Sequence, residues 1–67
     1  MPEIFKKQII KLLKHDDYLP QKLGQLAKTL GVSSDDYPQF KEAFDQLRQA
    51  GHVVIGARNL VTLPSLS

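Results

Sequence analysis

"LAKTLGVSSDDYPQF", residues 26–40, contains the end of one helix, a stop and the beginning of another, and the fold turns on how it is divided. Leu26, Ala27 and Leu30 continue an apolar stripe that starts at Leu23, at the three-to-four-residue spacing of a helix face. Gly31 then suits the left-handed conformation that ends helices, because it has no Cβ to clash. Past it, the start of the next helix has two readings. Ser34 can cap it with Asp35 and Asp36 in the first turn, or Pro38 can open it after a loop; a proline at the fourth helical position is the weaker fit. In both, the two acids are expected to cap the helix and to favour its positive end.

Upstream, "PEIFKKQIIKLLKH" places Phe5, Ile9, Leu12 and Leu13 at helical spacing with lysines opposite, which predicts an amphipathic helix over about residues 3 to 15. "DDYLP" breaks it, since the residue before Pro20 is pushed out of the helical region. Downstream, Phe40, Ala43, Phe44, Leu47 and Ala50 form the apolar stripe of a third helix that stops at Gly51. "HVVIGARNLVTLP" then reads as two β-branched runs around a Gly-containing turn, a short hairpin. The fold class that follows is mainly α with a small β-hairpin: a winged helix-turn-helix, three helices followed by a two-stranded antiparallel wing. Residues 1–63 are expected to form this domain and 64–67 to begin a linker to a downstream domain. Its core is expected to hold Phe5, Ile9, Leu13, Leu26, Leu30, Phe40, Phe44, Leu47, Val53 and Leu63.

A chain of 67 residues supports one domain, burying roughly 60% of its unfolded surface, with a stability of about 3–10 kcal/mol. The composition, 42% apolar with five aromatics, is that of an ordinary globular domain. No cysteine is present, which excludes disulfides and thiolate metal sites and points to a reducing, cytoplasmic setting. No apolar run is long enough for a membrane span or a signal peptide. Net charge is only +2, but residues 1–30 carry six lysines against Glu3, Asp16 and Asp17, while residues 31–50 carry Lys41 and Arg48 against four acids. The basic end of the field therefore lies on the first third of the chain.

The order of elements resembles a known family. The opening "IFKKQIIKLLKH", the Leu-Pro-x-x-Leu lead-in of Leu19, Pro20 and Leu23, "LAKTLG", the helix ending "LRQAGHVV" and the hairpin closing in "LP" are together similar to the small winged-helix domain at the N-terminus of bacterial ribonuclease R-type exoribonucleases. The likeness covers about residues 4 to 64. It implies an RNA-binding accessory domain of a larger 3'-5' exoribonuclease, with RNA and the rest of the parent enzyme as partners. The wing departs from the family, in which that loop is richer in Arg and Lys than "GARN".

The residues themselves carry no catalytic signature. His15 and His52 are far apart in sequence and neither has a metal-ligand spacing to another residue. Asp16 and Asp17 are not followed by a calcium loop or a second carboxylate at a defined distance. No phosphate-cradling glycine loop and no nucleophile beside a base can be read. Catalytic, metal and cofactor sites are therefore not expected, and the chain is expected to be a monomer. Lys7, Lys11 and Lys14 recur at i, i+4 and i+7, one stripe on the first helix with Lys6 beside it. Such a stripe serves either as a solvated face or as a phosphate contact, with Lys22, Lys28 and Arg58 as possible contributors. On the third helix, Gln39, Glu42, Gln46 and Gln49 lie opposite the apolar stripe; glutamine can read adenine edges, but Asp35, Asp36 and Glu42 carry the wrong sign for phosphates. Two further function classes stay open beside the RNA-binding accessory domain: a stand-alone DNA-binding regulator, and a protein-interaction module on the same scaffold.

Overall fold

A computed structural model describes residues 2–64. Helix α1 spans Pro2–Leu13, α2 Leu23–Thr29 and α3 Tyr37–Gln49; β1 (Val54–Ile55) and β2 (Val61–Thr62) follow. The two strands pair antiparallel, Val54 with Thr62 and Ile55 with Val61, so the molecule is a helix-turn-helix followed by a wing. No helix among the described residues is long and apolar enough to cross a membrane. Residues 65–67 of the expected linker lie outside the described residues.

The glycine stops take the form expected of them. Gly31 (φ 73°) and Gly51 (φ 82°) are left-handed, and each ends its helix with the same pair of bonds. Gly31 N–H donates to the Lys28 carbonyl at 3.1 Å and Val32 N–H to Ala27 at 2.9 Å; Gly51 N–H donates to Arg48 at 3.0 Å and His52 N–H to Leu47 at 2.9 Å. These crossed bonds form a Schellman motif, which satisfies carbonyls that the last helical turn leaves without partners. Helix α1 has no glycine at its end. It runs out two residues earlier than expected, where His15 N–H takes the Leu12 carbonyl three residues back and the Asp17 N–H donates to His15 Nδ1 at 3.1 Å.

The start of α3 decides between the two sequence readings. Tyr37 is its first residue and Pro38 sits in its first turn, where a missing N–H costs nothing. Starting at Asp35 instead would have set the proline ring against the Ser34 carbonyl. The expectation that the acids cap this helix needs correction. Asp36 holds the N-cap position but its carboxylate makes no cap bond; its φ and ψ of −92° and −10° are already helical, not the extended conformation from which a capping side chain folds back onto the N–H groups. Ser33 takes the polar role, accepting the Asp36 N–H on both its carbonyl (3.1 Å) and its Oγ (3.3 Å).

One core forms where α1 packs on α3, with α2 and the wing closing over it. Ile9, Leu13, Leu26, Phe40, Phe44, Leu47 and Val53 are buried as the periodicity predicts. Val61, Ala27 and Ala43 join them. Phe5, Leu30 and Leu63 are only half-buried, at the perimeter of the cluster; Phe5 still meets Phe40 edge-on, ring centroids 5.9 Å apart, a favoured aromatic geometry. Ala50 is exposed, because it is the C-cap residue and the chain has already turned away from the core.

The wing is tied to the helices through backbone. Val61 N–H donates to the Gln21 carbonyl at 2.7 Å, an isolated antiparallel bridge that adds the α1–α2 connection to the hairpin edge. The return bond is relayed. Tyr18 Oη donates to the Val61 carbonyl at 2.7 Å and accepts the Gln21 N–H at 3.3 Å. A buried carbonyl that two backbone strands would otherwise share is thereby satisfied by a phenol. Burial raises the Tyr18 pKa above its ordinary 10.0, partly offset by the Gln21 N–H, which favours the phenolate. At the wing tip, Leu60 N–H closes onto the Ala57 carbonyl at 3.3 Å. Both central residues, Arg58 and Asn59, have φ 61°, the requirement of a type I′ hairpin turn. The left-handed positions thus fall on Arg58 and Asn59, while Gly56 is extended (φ −90°, ψ −159°).

Candidate nucleic-acid interface

The lysine stripe of α1 stands on one side of an open groove of about 660 Å³. Its lining comes from three parts of the chain: Glu3, Lys6, Lys7, Ile10 and Lys11 on α1 with Lys14 just past its end, Gln46, Leu47 and Ala50 at the end of α3, and His52 and Leu63 beyond it. The arrangement follows from the packing of α1 on α3. Ile9 and Leu13 turn inward to the core, so Lys7, Lys11 and Lys14 emerge beside the helix contact and half-buried Ile10 lies among them. The groove therefore has aliphatic side chains between a cationic wall and a polar one.

Charge within the groove is uneven. Lys6 Nζ is paired with Glu3 at 3.2 Å, which neutralises the N-terminal end. Lys7, Lys11 and Lys14 are exposed and make no ion pair among the described residues. Their spacing on a helix with a rise of ~1.5 Å per residue sets the three ammonium groups along roughly 10 Å of wall. Three unpaired cations so close repel one another, and an anion between them relieves that repulsion.

The outer face of α3 differs. Lys41 Nζ is paired with Asp45 at 3.4 Å, and Gln46 Nε2 donates to Glu42 at 3.5 Å. Glu42 thus takes its hydrogen bond from an amide one turn on and keeps its charge. With Asp35 and Asp36 exposed just before the helix, this face offers phosphates little.

The remaining cations are dispersed. Lys28 lines a separate depression beside the α2–α3 turn, together with Ser33, Ser34 and Tyr37. Lys22 is the N-cap residue of α2, and Arg58 occupies the wing turn; neither lines the α1–α3 groove. Of the six candidate cations, the fold gathers Lys7, Lys11 and Lys14 and leaves Lys22, Lys28 and Arg58 outside that groove. It also brings in His52, Ala50 and Gln46, whose place beside the lysines no local pattern announces, since it depends on how α1 crosses α3.

No protein-family model matches the chain, and no curated protein matches it. The resemblance to the ribonuclease R-type N-terminal domain accordingly rests on the order of motifs quoted for it.

Proposed function

We propose that this is a non-catalytic RNA-binding domain, monomeric and cytoplasmic, which serves as the N-terminal accessory module of a ribonuclease R-like 3'-5' exoribonuclease. The observation that carries the binding half of this reading is the wall of three exposed, unpaired lysines along one groove. The preference for RNA and the parent enzyme are supported by the sequence resemblance. Phosphate contacts made by lysine hold a strand without reading it, so binding is weak, salt-dependent and nearly indifferent to sequence.

The test compares two sets of charge reversals by fluorescence titration with a short RNA at several salt concentrations. Lys7→Glu with Lys11→Glu is expected to weaken binding far more than Lys22→Glu with Lys28→Glu. Loss of two phosphate contacts flattens the dependence of log affinity on log salt by roughly 1.4–1.8. Equal effects from the two pairs, or affinity indifferent to salt, would remove the groove from the reading.

A further inference from the structure

We infer that the α1–α3 groove takes a single strand of RNA, with phosphates on the lysine wall and base faces laid on the aliphatic floor, and discriminates against duplex. This rests on the phosphate-binding reading above and deepens it. The argument is charge complementarity joined to what lies beside the charge. A face that served only to hold duplex backbone would need cations on a polar surface, because paired bases stay stacked inside the helix and present phosphate and ribose. Here the unpaired lysines border a concave strip whose floor is Ile10, Leu47 and Ala50. An unstacked base has an apolar face to bury on such a floor; a paired base does not reach it. His52 and Gln46 also line the groove, and supply polar groups that base edges or the ribose hydroxyl can use. The floor carries no aromatic ring, so bases rest on it without ring stacking and sequence preference stays slight.

Ala50 allows the floor to be altered without touching the core, since it is exposed and sits at the α3 C-cap with ordinary helical dihedrals (φ −78°, ψ −5°). Ala50→Gln fills the floor with a neutral side chain. Titrations of the wild type, Ala50→Gln and the Lys7→Glu/Lys11→Glu pair would use a single-stranded oligoribonucleotide and a blunt RNA duplex carrying it, at one low salt concentration. The expected result is tighter binding of the strand than of the duplex, with Ala50→Gln weakening the strand about threefold, as loss of roughly 30 Å² of apolar burial would, while leaving the duplex unchanged. The lysine reversals should weaken both ligands. Methyl chemical shifts of Leu47 and Leu63 in the wild type should move more with the strand than with the duplex, a readout independent of any variant. If strand and duplex bind alike and Ala50→Gln affects neither, the single-strand inference is overturned while the phosphate reading stands. If neither RNA binds at low salt, both are overturned.

Discussion

The helical half of the molecule and its wing are held together in different ways. In the helical half, the C-terminal ends of α2 and α3 are each closed by a glycine and crossed backbone bonds, and Phe40 and Phe44 are fully buried. The wing has two residues per strand, a turn that places Arg58 and Asn59 in the left-handed region, and a backbone link to the helices that runs partly through the Tyr18 hydroxyl. Strands this short are marginal without outside support. The difference bears on function, since cations on the helical half are presented by a rigid stripe and the wing's single arginine by a strained turn. Rigid presentation loses less entropy on binding, which favours α1 over the wing as the phosphate wall.

The sharpest way to break this comparison is to remove the helical core. Phe44→Ala should cost about 3–5 kcal/mol, comparable with the whole stability of a domain of this size, and largely unfold it. A cooperative melt within a few degrees of wild type would show that the core does not depend on that ring. Tyr18→Phe probes the link between the halves and should cost less, about 1–3 kcal/mol, because it leaves the Val61 carbonyl and the Gln21 N–H without their shared hydroxyl. It also has a pH signature. The folded-state pKa of Tyr18 lies above the unfolded value of 10.0, so its contribution is complete below that pH. As pH rises above 10.0 the unfolded phenol ionises first, and stability falls until the folded pKa is passed. Chemical denaturation of wild type and Tyr18→Phe should therefore show a difference that narrows on the alkaline side; a constant difference would mean that the phenol is not what links the wing.

Much of the helical half was legible in the sequence because its determinants are local. The stripe from Phe40 to Leu47 and the stops at Gly31 and Gly51 each lie within a few residues of what they control, whereas Pro38 made a later α3 start the better fit without deciding it. The wing was legible as two β-branched runs but not in its turn. The sequence marks the turn only as Gly-containing, whereas the I′ geometry is supplied by Arg58 and Asn59, two and three residues after Gly56. Tyr18 could not have been read at all, since its partner is 43 residues away and "DDYLP" announces only a break. For the candidate interface, helical spacing placed Lys7, Lys11 and Lys14 on one stripe. The groove they border needs α1 and α3 to cross, which places Gln46, Ala50 and His52 opposite them.

The smallest expected effect lies in the wing turn, where stability and binding should move in opposite directions. Arg58 is left-handed with φ 61° and ψ 21°, a conformation that costs an L-residue with a Cβ roughly 1–2 kcal/mol and glycine almost nothing. Glycine also loses more chain entropy on folding, about 0.5–1 kcal/mol, which offsets part of the relief. Arg58→Gly should therefore stabilise the domain slightly, by about 0.5–1 kcal/mol, visible as a higher urea midpoint at unchanged slope. The same change deletes the only cation between Gly51 and Pro64. If the α1 wall supplies the phosphate contacts, Arg58→Gly should reduce RNA affinity less than Lys11→Ala, which removes one charge from an exposed site in the middle of the stripe. The salt slope should then stay close to wild type for Arg58→Gly, and fall by roughly 0.7–0.9 for Lys11→Ala. A stabilised variant that loses more affinity than Lys11→Ala would show that the strained turn aims Arg58 at the ligand, and would move the interface from the groove to the wing.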